Sequence, residues 1–235
     1  MNNSSENSFK YRHEQKYICT AQQLADIENT IKCIMKKDAH ANEEGKYLIR
    51  SVYFDDYQNS FYQDNEDGNN PREKFRIRTY NCSKEYIKLE LKRKENGKTL
   101  KDSCELDYET CMGIINSGDV FYKDNAEPVY NKLFYLNKIR GLKPKCLVEY
   151  ERTVYVCEQG NVRITFDKNI SSCLNINELF LPVIAKRPIM PLGVHVLEVK
   201  YDEFLPDIIY RSLQKGCLKE TTFSKYYYCR KLSMR

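Results

Sequence analysis

The stretch "REKFRIRTY" (residues 72–80) sets Lys74, Arg76 and Arg78 at every second position, between Phe75, Ile77 and Thr79. Successive side chains of a strand point to opposite faces, so this segment gathers three cations on one side of a sheet. The same division recurs along the chain. In "YIKLELKRK" (86–94) Lys88, Glu90, Lys92 and Lys94 oppose Ile87, Leu89 and Leu91, and in "VRITFD" (162–167) Arg163, Thr165 and Asp167 oppose Val162, Ile164 and Phe166. "HVLEVKY" (195–201) sets Val196, Glu198 and Lys200 against Leu197, Val199 and Tyr201. With "KYLIRSVYF" (46–54), "LKDSCELD" (100–107) and "CLVEYERTVYV" (146–156), these segments are irregularly spaced and several follow one another through short turns, which favours antiparallel pairing over repeated βαβ units.

Helical punctuation lies between the strands. Thr20 followed by Gln23 forms a capping-box start to a helix carrying Leu24, Ile27, Ile31, Ile34 and Met35 on one stripe. A second helix begins near Pro128, carries Leu133, Leu136 and Ile139, and stops at Gly141. A third runs from Pro206 through Ile209 and Leu213 to Gly216, and Phe223 to Leu232 reads as a short helix or an extended strand. The class is α+β.

At 235 residues the chain suits a single domain with a substantial core. The polar start "MNNSSENSF" resembles no signal sequence, so residues 1–8 read as a disordered tail and 9–235 as one domain. The apolar runs fall far short of the roughly 20 residues a membrane-spanning helix needs. A soluble, cytoplasmic chain is therefore expected. The ten cysteines contain no CxxC, the closest pair being Cys104 and Cys111, and His13, His40 and His195 form no pair at metal-ligand spacing. Reduced, partly buried thiols fit that pattern better than disulfides or a zinc site. The net charge of +5 permits an anionic partner without requiring one.

Two arrangements of the ionic faces are open. They can meet water, as on most antiparallel sheets. Alternatively, the sheet closes with those faces inward and its apolar outer faces lie under the helices. Like charges about 6 Å apart repel by roughly 2–3 kcal/mol at an effective dielectric near 20. The bias toward Arg76, Arg78, Lys88 and Lys92 then calls for an anion, with metal, inside. A closed barrel of about eight strands is just wide enough for one slender ligand, and a phosphate chain is slender. Arginine grips phosphate oxygens in pairs, lysine acts as a point charge, and interleaved carboxylates such as Glu90 and Glu198 supply the hard oxygens that Mg²⁺ or Mn²⁺ takes. "NGKT" (96–99) resembles the end of a P-loop, but Lys92 stands where the earlier glycine belongs, so it reads as a hairpin turn. The basic run "KLELKRKENGK" has no aromatic platform for nucleic acid, and none is expected as a partner.

The ordered set "YRHEQKYIC", "RSVYFDD", "REKFRIRTY", "IKLELKRKENGKTLKDSCEL", "LVEYERTVYV", "VRITFD", "LEVKY" and "TFSKYYYC" resembles the VTC family of polyphosphate polymerase domains, within the CYTH or triphosphate tunnel metalloenzyme superfamily. The resemblance covers nearly the whole chain. It implies an antiparallel closed β-barrel, a tunnel of about eight strands with covering helices. It also implies basic residues on a polyphosphate or nucleoside triphosphate, and a carboxylate-held Mn²⁺ or Mg²⁺. Arg76 and Arg78 resemble the paired arginines on the phosphates and, with Lys92 and Lys225, are expected to be catalytic. Lys16, Lys101, Arg152, Arg163, Lys200 and Ser224 resemble phosphate contacts, and Lys88 joins them from the ionic face. Glu198 matches the metal carboxylate, with Glu14 and Glu90 as further candidates. One departure is that the alternating glutamates of the wider superfamily are here Arg12, Glu14 and Lys16, which fits the polymerase branch better than the hydrolytic one.

The expected activity is metal-dependent transfer of phosphoryl groups from ATP to a growing polyphosphate. The alternatives are a triphosphatase of the same fold and a polyphosphate-binding module without turnover. Expected partners are ATP and polyphosphate, or triphosphate. Association with a separate membrane protein and the oligomeric state are left open.

Overall fold

In the computed structural model, residues 12–38, 45–96, 98–214 and 218–234 are described. The expected tail at 1–8, Gly97 of the hairpin turn, Gly216 at the expected helix end and His40 lie outside the described residues. The strands are β1 (His13–Thr20), β2 (Lys36–Lys37), β3 (Lys46–Asp55), β4 (Arg72–Tyr80), β5 (Ile87–Glu95), β6 (Lys98–Leu106), β7 (Lys143–Cys157), β8 (Val162–Cys173), β9 (Arg187–Pro188) and β10 (Val194–Tyr201). The helices are α1 (Ala21–Ile31), α2 (Ser60–Glu66), α3 (Tyr108–Ser117), α4 (Pro128–Arg140), α5 (Asp207–Gln214) and α6 (Lys225–Ser233).

Eight strands follow one antiparallel path, β1-β10-β8-β7-β3-β4-β5-β6, with β2 on β7 and β9 on β8. The two ends of the path meet where Arg12 bridges to Thr99, so the sheet curls into a barrel joined by a staggered seam. β5 and β6 pair antiparallel down to Glu95 opposite Lys98, as the hairpin reading of this region expects, with Asn96 in the left-handed region at φ 49°. The expected α+β barrel with covering helices is thus observed, its β3–β8 and β10 segments falling on the strands read from alternation.

The outer faces form the core. Leu24, Ile27 and Ile31 of α1 pack with Ile164, Phe166, Leu197 and Val199, while Ile114, Ile115 and Leu133 of α3 and α4 share a second cluster with Phe75, Ile77, Leu89 and Leu91. At the start of α1 the Thr20 hydroxyl accepts the Gln23 amide N–H (3.2 Å) and the Gln23 side chain accepts the Thr20 N–H (2.9 Å), so both halves of the capping box form. α4 has Pro128 in its first turn and ends on Gly141 at φ 64°, where a left-handed residue closes the helix. The 223–232 stretch is resolved in favour of a helix, because the Ser224 hydroxyl accepts the Tyr227 N–H as N-cap.

One ion pair is buried outside the barrel. Arg50 is 1% exposed and donates to Glu149 (2.7 Å) and to the carbonyls of Glu178, Leu179 and Leu181. It ties the loop before β9 to the sheet. Glu149 lies outside the barrel, and the β7–β8 register shifts between Glu149 and Glu151. No helix among the described residues is long and apolar enough to cross a membrane.

Candidate functional site: a charged cavity inside the barrel

The inward faces enclose a cavity of about 720 Å³. It brings together Glu14 and Lys16 from β1, Arg76 and Arg78 from β4, Lys92 from β5, Arg152 from β7, Glu198 and Lys200 from β10, and Ser224 and Lys225 where α6 begins. Of the other expected site residues, Glu90 lies in the wall beneath Arg76, and Lys101 reaches it from β6 (2.5 Å). Lys88 turns to Glu105 (4.0 Å) and the ring of Tyr86, and Arg163 pairs with Asp38 (3.0 Å) while 41% exposed; neither lines the cavity.

Four carboxylates organise the cations. Glu90, 2% exposed, accepts from Arg76 Nε (2.5 Å) and lies 3.7 Å from Arg78. Burial opposes its charge, yet Arg76, Arg78 and Lys101 hold the carboxyl well below its ordinary range. Asp167 is fully buried and takes a two-pronged contact from Arg152 (2.6 and 2.7 Å), with Lys225 at 2.6 Å. It too stays ionised against burial because of those two cations. Glu14 meets Lys16 (2.6 Å) and Lys92 (2.7 Å), and Glu198 meets Lys200 (2.6 Å). Burial and mutual repulsion push the Glu14 carboxyl up, and Lys92, Lys16 and Lys200 more than offset this.

Alternation put Lys74 and Asp167 on ionic faces without assigning them to the site, and it did not mark Tyr53 or Tyr150. Tyr53 accepts from Arg76 (3.1 Å), Tyr150 accepts from Arg78 (3.1 Å), and the ring of Tyr150 lies 4.7 Å from the Lys225 ammonium. Lys74 donates to Asn65 Oδ1 (2.6 Å) and Ser224 Oγ (2.8 Å). The available signal was its shared face with Arg76 and Arg78. Burial, then Arg72, Lys16, Lys92 and Lys94, hold the Lys74 ammonium well below the usual lysine range of 10.5.

That depression fixes a pH dependence. A polyanion bound beside Lys74 favours its charged form, so binding takes up a proton wherever the free lysine is neutral. Below the lowered value Lys74 is charged in both states and contributes no slope. Between that value and the ordinary 10.5, affinity for tripolyphosphate is expected to fall as pH rises. Burial also lowers Lys92, to about 7, and Lys94 beside it, so Lys74→Met should reduce the uptake measured by calorimetry in two buffers of different ionisation enthalpy without abolishing it; equal uptake in the variant would assign the proton to those lysines.

A divalent ion fits part of this donor set. Among the described residues no three metal-ligating side chains cluster. Glu14 and Glu198 line the cavity from adjacent strands, and Mg²⁺ is commonly held by one or two carboxylates with substrate phosphates completing its shell. Glu90, the third expected metal candidate, does not line the cavity and serves as counterion to Arg76, Arg78 and Lys101.

A family model described as VTC domain matches residues 11–234. No curated protein matches. Among solved structures, the chain is similar to the PH1819 protein of Pyrococcus horikoshii OT3 (16% identity, 96% of this chain and 100% of that one, TM-score 0.50). It is also similar to a putative adenylate cyclase of Bacillus halodurans (14%, 91% and 95%, TM-score 0.53). A third is a putative adenylyl cyclase from Hippeastrum described as having a dominant triphosphatase activity (10%, 94% and 95%, TM-score 0.54). At these identities the likeness concerns the fold.

Proposed function

The chain belongs to the VTC domain family, and from that premise we propose that it transfers phosphoryl groups from ATP to a growing inorganic polyphosphate inside the barrel. The observation carrying this reading is the convergence of cations from β1, β4, β5, β7, β10 and α6 on one cavity, where the carboxylates among the described residues are Glu14, Glu90, Asp167 and Glu198 inside and Glu66 and Glu220 at the rim. A linear polyanion supplies the missing charge.

Phosphoryl transfer asks the protein for position and charge neutralisation, with no side-chain nucleophile. A terminal oxygen of the polyphosphate attacks the γ-phosphorus of ATP, the bond to the β-bridging oxygen breaks, and ADP leaves with the electron pair. Arg76 and Arg78 stand two positions apart on one strand face, each oriented by a tyrosine hydroxyl and Glu90. Their planar forks align and stabilise the phosphoryl oxygens. Lys16, Lys92 and Lys200 bring mobile point charges, and Arg152 and Lys225 are pinned by Asp167 near the start of α6. The nine-residue helix α6 directs its positive N-terminal end, with the Ser224 hydroxyl, toward the same anion. Glu14 and Glu198 are the residues to hold Mn²⁺ or Mg²⁺, which when bound would neutralise charge on the transferring group.

A hydrolytic reading, with water as the acceptor, draws on the Hippeastrum fold relative and its triphosphatase description. Incubation of the purified protein with ATP and Mn²⁺ or Mg²⁺, followed by sizing of the phosphate products, separates the two. Accumulating polymer is the expected result; free phosphate alone would establish the hydrolytic reading, and tight binding without ATP consumption would leave a binding module.

A further inference from the structure

Within the cavity, countercharge is unevenly distributed. Each of Lys16, Arg76, Arg78, Lys92, Lys101, Arg152, Lys200 and Lys225 has a carboxylate oxygen within 4.0 Å. Toward the start of β4 this changes. Arg72, Lys74 and Lys94 line the cavity, and among the described residues none of them forms an ion pair with a carboxylate. Arg72 donates to the Asn69 carbonyl (3.3 Å) and Lys74 to neutral oxygens of Asn65 and Ser224. The two acids at this rim are engaged elsewhere, Glu66 with Lys231 (3.8 Å) and Glu220 with Gln15 (3.3 Å).

The strand register sharpens the imbalance. Arg72 stands directly opposite Lys94, and Lys74 directly opposite Lys92, which in turn faces Lys101. Like charges directly opposite across a ladder destabilise the pairing. Glu14 and Glu90 offset Lys92 and Lys101, but the Arg72–Lys94 rung gives up stability that an apolar or mixed-charge pair would provide, and no ion pair among the described residues compensates it.

Resting on the phosphate-tunnel reading above, we propose that the Arg72–Lys94 rung, outward of Lys74, forms an outer phosphate subsite that holds a long polyphosphate beyond the reach of a triphosphate. Positions 72 and 76 are four residues apart on one strand, a span of about 13 Å at ~3.3 Å per residue. A triphosphate gripped by Arg76 and Arg78 reaches Lys74 but not the Arg72–Lys94 rung. A chain of many phosphates reaches both. The rung therefore selects for length, favouring long linear polyphosphate over nucleotides and short oligophosphates at the same deep site.

The test uses the whole chain and two probes, inorganic tripolyphosphate and long-chain polyphosphate, in binding titrations at several salt concentrations. The readout is the ratio of the two dissociation constants, which a general loss of structure would not move selectively. In Arg72→Gln/Lys94→Gln the advantage of the long chain is expected to shrink by about tenfold or more. The slope of log K against log salt for the long chain should become shallower by roughly 1.5, at ~0.7–0.9 per lost phosphate contact. The charge-preserving swap Arg72→Lys/Lys94→Arg should restore most of the ratio. An unmoved ratio, or equal losses for both probes, would overturn the outer subsite while leaving the deep site standing. Failure of the wild-type protein to bind either probe would instead bring down the phosphate-tunnel reading.

Discussion

Replacing Arg76 with alanine is expected to lower ATP-dependent phosphate transfer by about 10³–10⁵-fold, the range over which an arginine at a transferring phosphoryl group acts. The variant should stay folded. Glu90, the buried carboxylate that Arg76 contacts, keeps Lys101 at 2.5 Å and Arg78 at 3.7 Å, so no unpaired charge is left in the wall. Arg76→Lys retains the charge but not the two-pronged fork, and an intermediate rate is expected. Product sizing with radiolabelled ATP measures the transfer, and a thermal melt measures the fold. Wild-type polymer yield from a folded Arg76→Ala protein would remove this residue from the transfer site.

The second large effect falls on stability. Asp167 is fully buried and is the carboxylate partner of both Arg152 and Lys225, whose side chains are only 11% and 9% exposed. Asp167→Ala leaves two buried cations facing each other. Breaking a buried pair by removing one partner costs about 3–5 kcal/mol, readable as a shift in the urea midpoint. Saturating polyphosphate should recover more stability in the variant than in the wild type, since the ligand then supplies charge that Asp167 no longer does. A wild-type midpoint without ligand would show that Arg152 and Lys225 find other partners.

The architecture was legible where chemistry repeats with a period. Two-residue alternation located β4, β5, β8 and β10, and cap chemistry located the start of α1 at Thr20 and both ends of α4 at Pro128 and Gly141, while α1 stops at Ile31, short of the expected Ile34 and Met35. α2 and α3 carry weaker signals. α2 follows Asn59, a left-handed residue with no side-chain cap, and α3 relies on Asp107 immediately after a strand, with Gly113 in its middle. The aromatic run Tyr226–Tyr228 has local strand character, and only its packing on Tyr53 and the Ser224 cap make it a helix.

For the site, side-chain parity gave the face but not the height along the barrel. Arg163 and Asp167 share the inward parity of β8, yet Asp167 anchors the cavity wall while Arg163, partly exposed, ends on Asp38. Lys88 and Lys92 separate in the same way along β5. Arg50 and Glu149 carry the opposite parity to Ser51 and Tyr150, which places them outside despite their charge. Counterion roles such as that of Asp167 emerge only when neighbouring strands are brought together, because its partners come from β7 and α6.

The staggered seam also shapes how the molecule acquires its structure in time. β1 pairs with β10 and otherwise meets the path at the single Arg12–Thr99 bridge, so residues near 13–20 must find partners near 194–201, across almost the whole chain. Joining segments so distant in sequence carries a large loop-closure entropy, and topologies dominated by such contacts fold in milliseconds to seconds rather than microseconds. The β4–β5–β6 and β7–β8 ladders, joined by short connections, can zip first, but Glu14 and Lys16 arrive with β1. Competence to bind an anion is therefore a late event in refolding, lagging behind the burial of the tyrosines in the earlier ladders.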